Sequence, residues 1–344
     1  MGGRPHTESV TRRQYEKEGV LKTRTPFVAV VIGCWLILGL TSNPAQAQFA
    51  GANFRGDFGL QSGSQPDPGW YATALYVRYD GDTVRDSDGN SIGIDPERRG
   101  DLAANGYSIG IWGVTKIKIF GANYSFMVFP GWTDNTFEVP ILAFQGAVGT
   151  GLADTYLQPI NLGWHTKRAD FIAGLGLFAP TGSYDPDASD NLGLGMWSFE
   201  LFGGTTVFLD KKKSWSFATT AFYETHTKKK DTDIKVGDLL TLEGGVGKSF
   251  KGGMFNVGAA YFAQWKLSHD DIGQELEQLL GGQDLPKNRV FGLGPEVTVP
   301  IATKRRLIAL LTARYLWEFG ARTTLEGSSF VFQATFPIPS VRLQ

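Results

Sequence analysis

Cysteine is nearly missing from this chain: of 344 residues only Cys34 is one, and it lies inside an apolar run near the N-terminus. Beyond that run, disulfides, thiol catalysis and cysteine-ligated metals have no residues to use. Histidine is almost as scarce, and past residue 47 only His165, His226 and His269 remain, no two at metal-ligand spacing. Long apolar stretches are lacking too. The run from Phe27 to Leu40 falls short of the roughly 20 residues a spanning helix needs. A mean hydropathy of −0.14 likewise excludes a helical membrane protein. Nor is there a surplus of positive charge. Of 33 basic and 34 acidic residues, six and three fall within 1–47, leaving 27 and 31 and a net charge of −4. That balance gives no basis for nucleic-acid binding.

What the chain has in plenty is glycine, 44 residues, and aromatics, 13 %. This is the composition of many strands joined by turns. Residues 1–47 are expected to be a secretory signal and stand outside the fold. Arg12, Arg13, Lys17, Lys22 and Arg24 form a basic leader before the apolar run, and "NPAQAQ" offers small residues at Ala45 and Ala47 for cleavage. The leader is long for a signal, which puts the expected start of translation downstream of Met1. "VIGC", ending at Cys34, is weak as a lipid-attachment box because the cysteine sits in mid-run rather than after it.

Past the signal, apolar and polar residues alternate with period two. In "MFNVGAAYFAQWKL", Phe255, Val257, Ala259, Tyr261, Ala263 and Trp265 oppose Asn256, Gly258, Gln264 and Lys266. "WSFELFGGTTVFLD", "SWSFATTAFYETHT" and "RLIALLTARYLWEF" alternate in the same way. A soluble sandwich would use strands of five or six residues and a charged outer face. Here the strands are longer, the polar faces are rich in Gly, Ser and Thr, and Trp and Tyr gather near the ends of the apolar faces, as in an aromatic girdle. The predicted fold is an all-β transmembrane antiparallel barrel of about twelve strands: 70–79, 106–119, 122–130, 155–165, 169–180, 196–209, 214–227, 238–250, 254–267, 288–301, 305–319 and 328–336. Its turns at 120–121, 166–168, 210–213, 251–253 and 302–304 are short and periplasmic. Its loops at 80–105, 131–154, 181–195, 228–237, 268–287 and 320–327 are long and extracellular. The domain plan is signal 1–47, N-terminal segment 48–68, barrel 69–336 and tail 337–344. Closure is required because an open edge in lipid leaves backbone groups unpaired.

If the apolar sides face lipid, then Arg78, Lys116, Lys118, Glu200, Glu224, His226, Glu243, Gln264, Lys266, Glu296, Arg314 and Glu318 are candidates to line the lumen, with Trp112, Phe202, Phe208, Phe222 and Phe262 among them. They form either a charged and aromatic channel wall or a network of buried ion pairs. Residues 48–68, "QFAGANFRGDFGLQSGSQPDP", show no alternation and are either a periplasmic tail or a hatch inside the barrel. In "DDIGQELEQLLGG", Ile272, Leu276, Leu279 and Leu280 have helical spacing and predict a short helix over the outer mouth, stopped by Gly281 and Gly282. "GGVGKSF" (Gly244–Phe250) looks like a phosphate-binding loop but lacks the first glycine of that motif, Leu242 standing in its place. "GLGLFAPTG" (Gly174–Gly182) reads as a strand whose glycines face inward. A barrel-rim lipid enzyme would need a serine beside His226, and no G-x-S-x-G is present. No catalytic group, metal or cofactor is expected.

"GDFGLQSGSQPDPGWYATALYVRYDGDTVRDSDGN" (Gly56–Asn90), "LADTYLQPINLGWH" (Leu152–His165), "FIAGLGLFAPTGSYDPD" (Phe171–Asp187) and "NLGLGMWSFELFGGTTVF" (Asn191–Phe208) resemble the family called putative MetA-pathway of phenol degradation, also labelled outer-membrane transporter-like. The resemblance implies an outer-membrane barrel, tied to catabolism of aromatic or other hydrophobic compounds, and distantly similar to hydrophobic-compound channels that carry an N-terminal hatch. It supplies no catalytic residues. The expected function is passive uptake of small hydrophobic or aromatic solutes, with outer-membrane lipid as surroundings. The alternatives are a closed barrel with a structural or loop-mediated binding role, and a rim-located lipid-modifying enzyme.

Overall fold

The computed structural model describes residues 49–92, 101–139, 144–188, 190–250, 255–279, 281–304 and 306–338. The expected signal, the tip of the first outer loop and the tail from 339 lie outside these residues.

Fourteen strand segments form a single antiparallel sheet that closes on itself, because β1 (Gly69–Arg85) pairs with both β14 (Thr324–Ile338) and β2 (Asp101–Ile119). Two staves of the barrel are each built from two segments. β3 (Ala122–Phe129) pairs with the lower part of β2, and β4 (Gly131–Val139) with its upper part. β5 (Phe144–Leu152) pairs with β4, and β6 (Thr155–His165) with β3. Counted as staves, the sheet is a closed barrel of twelve strands. The first break falls at Pro130, which has no amide hydrogen to donate to the ladder. The second, at Ala153 and Asp154, is bridged by Ala153 N–H to Gly131 O at 2.9 Å.

The other staves follow in order: β7 (Ala169–Ala179), β8 (Ser198–Phe208), β9 (Trp215–His226), β10 (Leu239–Phe250), β11 (Phe255–Lys266), β12 (Arg289–Ala302) and β13 (Leu307–Arg322). Two stretches expected as long loops are largely strand. Residues 131–154 form the β4–β5 hairpin that prolongs the third and fourth staves. Residues 320–327 belong to β13 and β14, which are joined through Thr323 alone at φ 51°. The short helix exists as α1 (Gly273–Leu279), ended by Gly281 and Gly282 in left-handed conformation. The side chains of Leu276, Leu279 and Leu280 lie outside the described residues, whereas Ile272 is buried with Phe49 and Leu285.

Alternation decides which side chains face lipid. Ile109, Leu175, Leu201, Leu293 and Trp317 stand exposed on the outer surface. Trp70, Phe120, Phe171, Trp215 and Phe250 mark the short-turn end of that surface, and Tyr107, Trp197, Tyr223 and Phe319 the long-loop end. These are the two aromatic belts of a membrane barrel, whose short turns face the periplasm. "GGVGKSF" is simply the second half of β10.

Candidate functional site

The barrel is not empty. Residues 49–68 enter it beneath the outer loops and descend to β1 at the periplasmic end. Such a backbone brings amide groups that no strand pairs, and each must find a partner away from water. Glutamates on the inner faces of three regular strands, β9, β10 and β12, supply them. Glu224 of β9 accepts from the Ala52 amide at 2.6 Å and the Asn53 amide at 3.4 Å. Glu243 of β10 accepts from Gly56 N–H at 2.8 Å and Phe58 N–H at 2.9 Å. Glu296 of β12 accepts from Leu60 N–H at 3.2 Å while also taking Arg314 Nε at 2.8 Å. Arg314 of β13 returns to the segment and donates to Gly56 O at 2.6 Å. Arg55 pairs with Glu318 at 3.2 Å, and Tyr79 donates to the same carboxylate. At the top, Lys266 Nζ bonds Phe49 O at 2.9 Å and the Asp270 carboxylate. Bonds with a charged partner are the strong kind, and these are buried.

Apolar contacts complete the seat. Phe58 lies 5.0 Å from the Phe222 ring and packs beside Phe202 and Ile172. Leu60, 2 % exposed, fits a notch left by Gly245, Gly247 and Gly258, where a Cβ would stand 2.8, 3.0 and 2.7 Å from its methyl carbons. Gly174 and Gly176 clear space in the same way, for the Phe202 ring and for the Tyr156–Glu200 pair. On the side of the broken staves the contacts are fewer, and only one of them meets a carboxylate. Gln65 Nε2 donates to Ser125 Oγ at 2.8 Å, and Ser64 Oγ donates to Asp170 at 2.8 Å. A chain of hydrogen bonds, Asn161 to Gln158 to Tyr156 to Glu200, lines that wall.

Of the twelve candidate lining residues, Glu200, Glu224, His226, Glu243, Gln264, Lys266, Glu296, Arg314 and Glu318 sit on the inner face. Lys116 and Lys118 share the inward parity of Trp112 but are exposed at the periplasmic mouth, beside an irregularity between Val114 and Lys118. Arg78 faces outward. It stands on the side of Trp70 and Tyr76 and pairs with Asp80, because the inward positions of β1 are Thr73, Val77 and Tyr79. Sequence reasoning missed Tyr79, Gln65, Asn161 and Tyr156. Tyr79 was hidden by an aromatic-rich strand whose two faces look alike, and the other three lie at the strand breaks or in the unpatterned segment.

His226 does have a serine beside it: Ser198 Oγ lies 2.9 Å from Nδ1. However, Glu224 faces that same nitrogen at 3.6 Å, and Nε2 has no partner among the described residues. A relay needs the carboxylate and the nucleophile on opposite nitrogens, so these three groups do not form one.

The outer mouth is roofed by loops. Lys229 donates to Leu194 O at 2.8 Å and ties the loop after β9 to the loop after β7; burial pushes its ammonium down to about 8.

The same fold is found in the COG4313 outer membrane channel from Pseudomonas putida F1, at a TM-score of 0.64 and 13 % identity over 83 % of this chain and 100 % of that one. The beta domain of the Bordetella autotransporter BrkA matches at 0.45 and 14 % over 79 % and 100 %. The TodX deltaS2S3 mutant monoaromatic hydrocarbon channel matches at 0.35 and 12 % over 86 % and 92 %. No curated protein matches the sequence. The model of the family described as putative MetA-pathway of phenol degradation matches residues 81–334, most of the barrel, and the chain belongs to that family.

Proposed function

We propose that this protein is an outer-membrane channel for the passive entry of small hydrophobic or aromatic compounds, with residues 49–68 as a hatch that narrows the bore. Family membership supports the solute class, and the shared fold of the Pseudomonas putida channel supports the architecture. The observation that carries the reading is the clamp. Buried carboxylates of Glu224, Glu243 and Glu296 hold the backbone of a segment whose Phe58 covers Phe202 and Phe222 and whose Arg55 and Gly56 lie against Phe262. With the segment displaced, these rings and carboxylates would form a mixed aromatic and hydrogen-bonding surface, which suits a solute with an apolar body and a polar tip. Flux follows the gradient set by metabolism on the far side. Localisation in the outer membrane follows from the exposed apolar belt and its aromatic edges.

The test is uptake. Vesicles reconstituted with the full chain should take up phenol or toluene faster than empty vesicles, and faster again when the clamp is weakened. Equal rates in all three would identify a closed barrel whose function lies in its loops.

A further inference from the structure

Basic residues gather at both ends of the barrel. At the outer end, Arg78 with Asp80, Arg85 with Glu326, Lys228 with Asp233, Lys230 with Asp231 and Lys266 with Asp270 form ion pairs, whereas Lys287 bonds Leu267 O and Arg289 stands over the Phe291 ring. At the periplasmic end, Lys167, Arg168, Lys211, Lys212, Lys248, Lys304 and Arg306 have no carboxylate within ion-pair distance among the described residues. Asp210, in the midst of them, is taken up by the amides of Ser214 and Trp215. Asp170 is held by His165 and Ser64.

Lys248 is the informative member. In β10 the inward positions are Glu243, Gly245 and Gly247, so Lys248 stands on the lipid face, one step from the exposed Val246. Its ammonium lies 4.9 Å above the Trp215 ring and 5.2 Å above the Phe250 ring, both in the periplasmic aromatic belt. A lysine on a lipid face keeps its stem in the apolar layer and its charge at the headgroups. The rings fix that charge laterally and leave its N–H donors facing outward. The turn before Trp215 puts Lys211 and Lys212 next to it, since Ser249 N–H bonds Ser214 O at 2.7 Å. Lys213 is excluded from the set because its ammonium turns toward the Phe208 ring and Thr166 O.

We propose that this rim, centred on Lys248 and completed by Lys211 and Lys212, is a binding site for the phosphate of anionic glycerophospholipid in the inner leaflet. The proposal rests on the outer-membrane orientation given above. Opposed charge and a girdle-level position favour lipid over a soluble anion, because the Lys248 ammonium is presented to the membrane rather than to the mouth. The rim would then seat the barrel at a fixed depth by its lower edge.

The experiment exposes the full chain in detergent to equal phosphatidylglycerol and phosphatidylcholine and measures the lipid retained. Each lysine near an anionic surface is worth about fivefold in partition. The wild type should retain phosphatidylglycerol preferentially, and Lys248→Gln should reduce the preference about fivefold. Lys211→Gln/Lys212→Gln/Lys248→Gln should reduce it on the order of a hundredfold. Lys248→Arg should keep it, and Lys228→Gln/Lys230→Gln at the outer end should change nothing. Faster migration of unboiled protein on a detergent gel reports folding of every variant, so a failed barrel is told apart from a failed site. Equal retention of both lipids by the folded wild type overturns the proposal, as does an undiminished preference in the triple variant. Lysine-dependent binding of an acidic polypeptide without lipid preference would overturn it in favour of a protein partner.

Discussion

The wall from β7 to β12 and the wall from β2 to β7 are made differently. In the first, every strand pair keeps a continuous register, and three of its strands each direct a glutamate at the same inner segment. In the second, β2–β3, β3–β6, β4–β5 and β6–β7 all carry register shifts, Pro130 and Pro159 interrupt the ladder, and the segment reaches the wall through its own Gln65 and Ser64 side chains. A strand with unbroken register holds each inward side chain at a fixed height, which is what two-point gripping of backbone amides requires. The hatch is therefore fastened to one side of the barrel by three carboxylates and rests against the other through the amide of Gln65 and a single hydroxyl bond from Ser64 to Asp170. In the proposed channel, solute passes along the irregular, less firmly held side.

Breaking the fastened side should have the largest effect. Glu224→Ala/Glu243→Ala strands amides of Ala52, Asn53, Gly56 and Phe58, at about 1.5–3 kcal/mol for each good charged bond. The segment should leave the lumen, seen as trypsin cleavage after Arg55 in reconstituted protein and phenol uptake raised more than about tenfold; unchanged cleavage and uptake would place the grip elsewhere. Arg314→Met comes next, because it leaves the Glu296 carboxylate buried without its cation, at about 3–5 kcal/mol. The temperature at which the unboiled gel band converts to the unfolded band should fall clearly. Gly247→Val fills the notch that Leu60 occupies and should cost about 1–3 kcal/mol of overpacking, read as partial trypsin sensitivity. The smallest effect belongs to the irregular wall: Gln65→Ala removes neutral bonds worth about 1 kcal/mol and should change uptake less than twofold. A Gln65→Ala effect as large as that of the glutamates would erase the distinction between the two walls.

The barrel was legible because period-two alternation survives in most of the strands, so strand limits such as Ala169 in β7 or, to within one residue, Trp215 in β9 follow from the residues alone. Legibility failed where alternation fails. The stretch 131–154 looked like loop because its threonines and glycines mark no face, though it pairs as β4 and β5. Arg78 shows a subtler failure: in β1 both faces are aromatic, so parity could not be set without the partner strand. The clamp lay half in view. Glu224, Glu243 and Glu296 were placed on the inner face by parity, yet a polar inner face is the same whether it lines water or grips a chain. Only the unpatterned "ANFRGDFGL" supplies the other half, and nothing in it announces which carboxylate each amide meets.

The central claim, that residues 49–68 are a hatch seated on the regular wall, has a direct measurement because the chain has no cysteine after Cys34. A Cβ at position 247 stands 3.4 Å from the Leu60 Cβ, close to the separation a disulfide spans. Leu60→Cys/Gly247→Cys, combined with Glu224→Ala/Glu243→Ala, should form a reducible crosslink in vesicles. Phenol uptake should be slow when oxidised and rise more than about tenfold on reduction, when the segment is unlatched. A pair that stays unlinked under oxidation, or links without any change in uptake, would contradict the account.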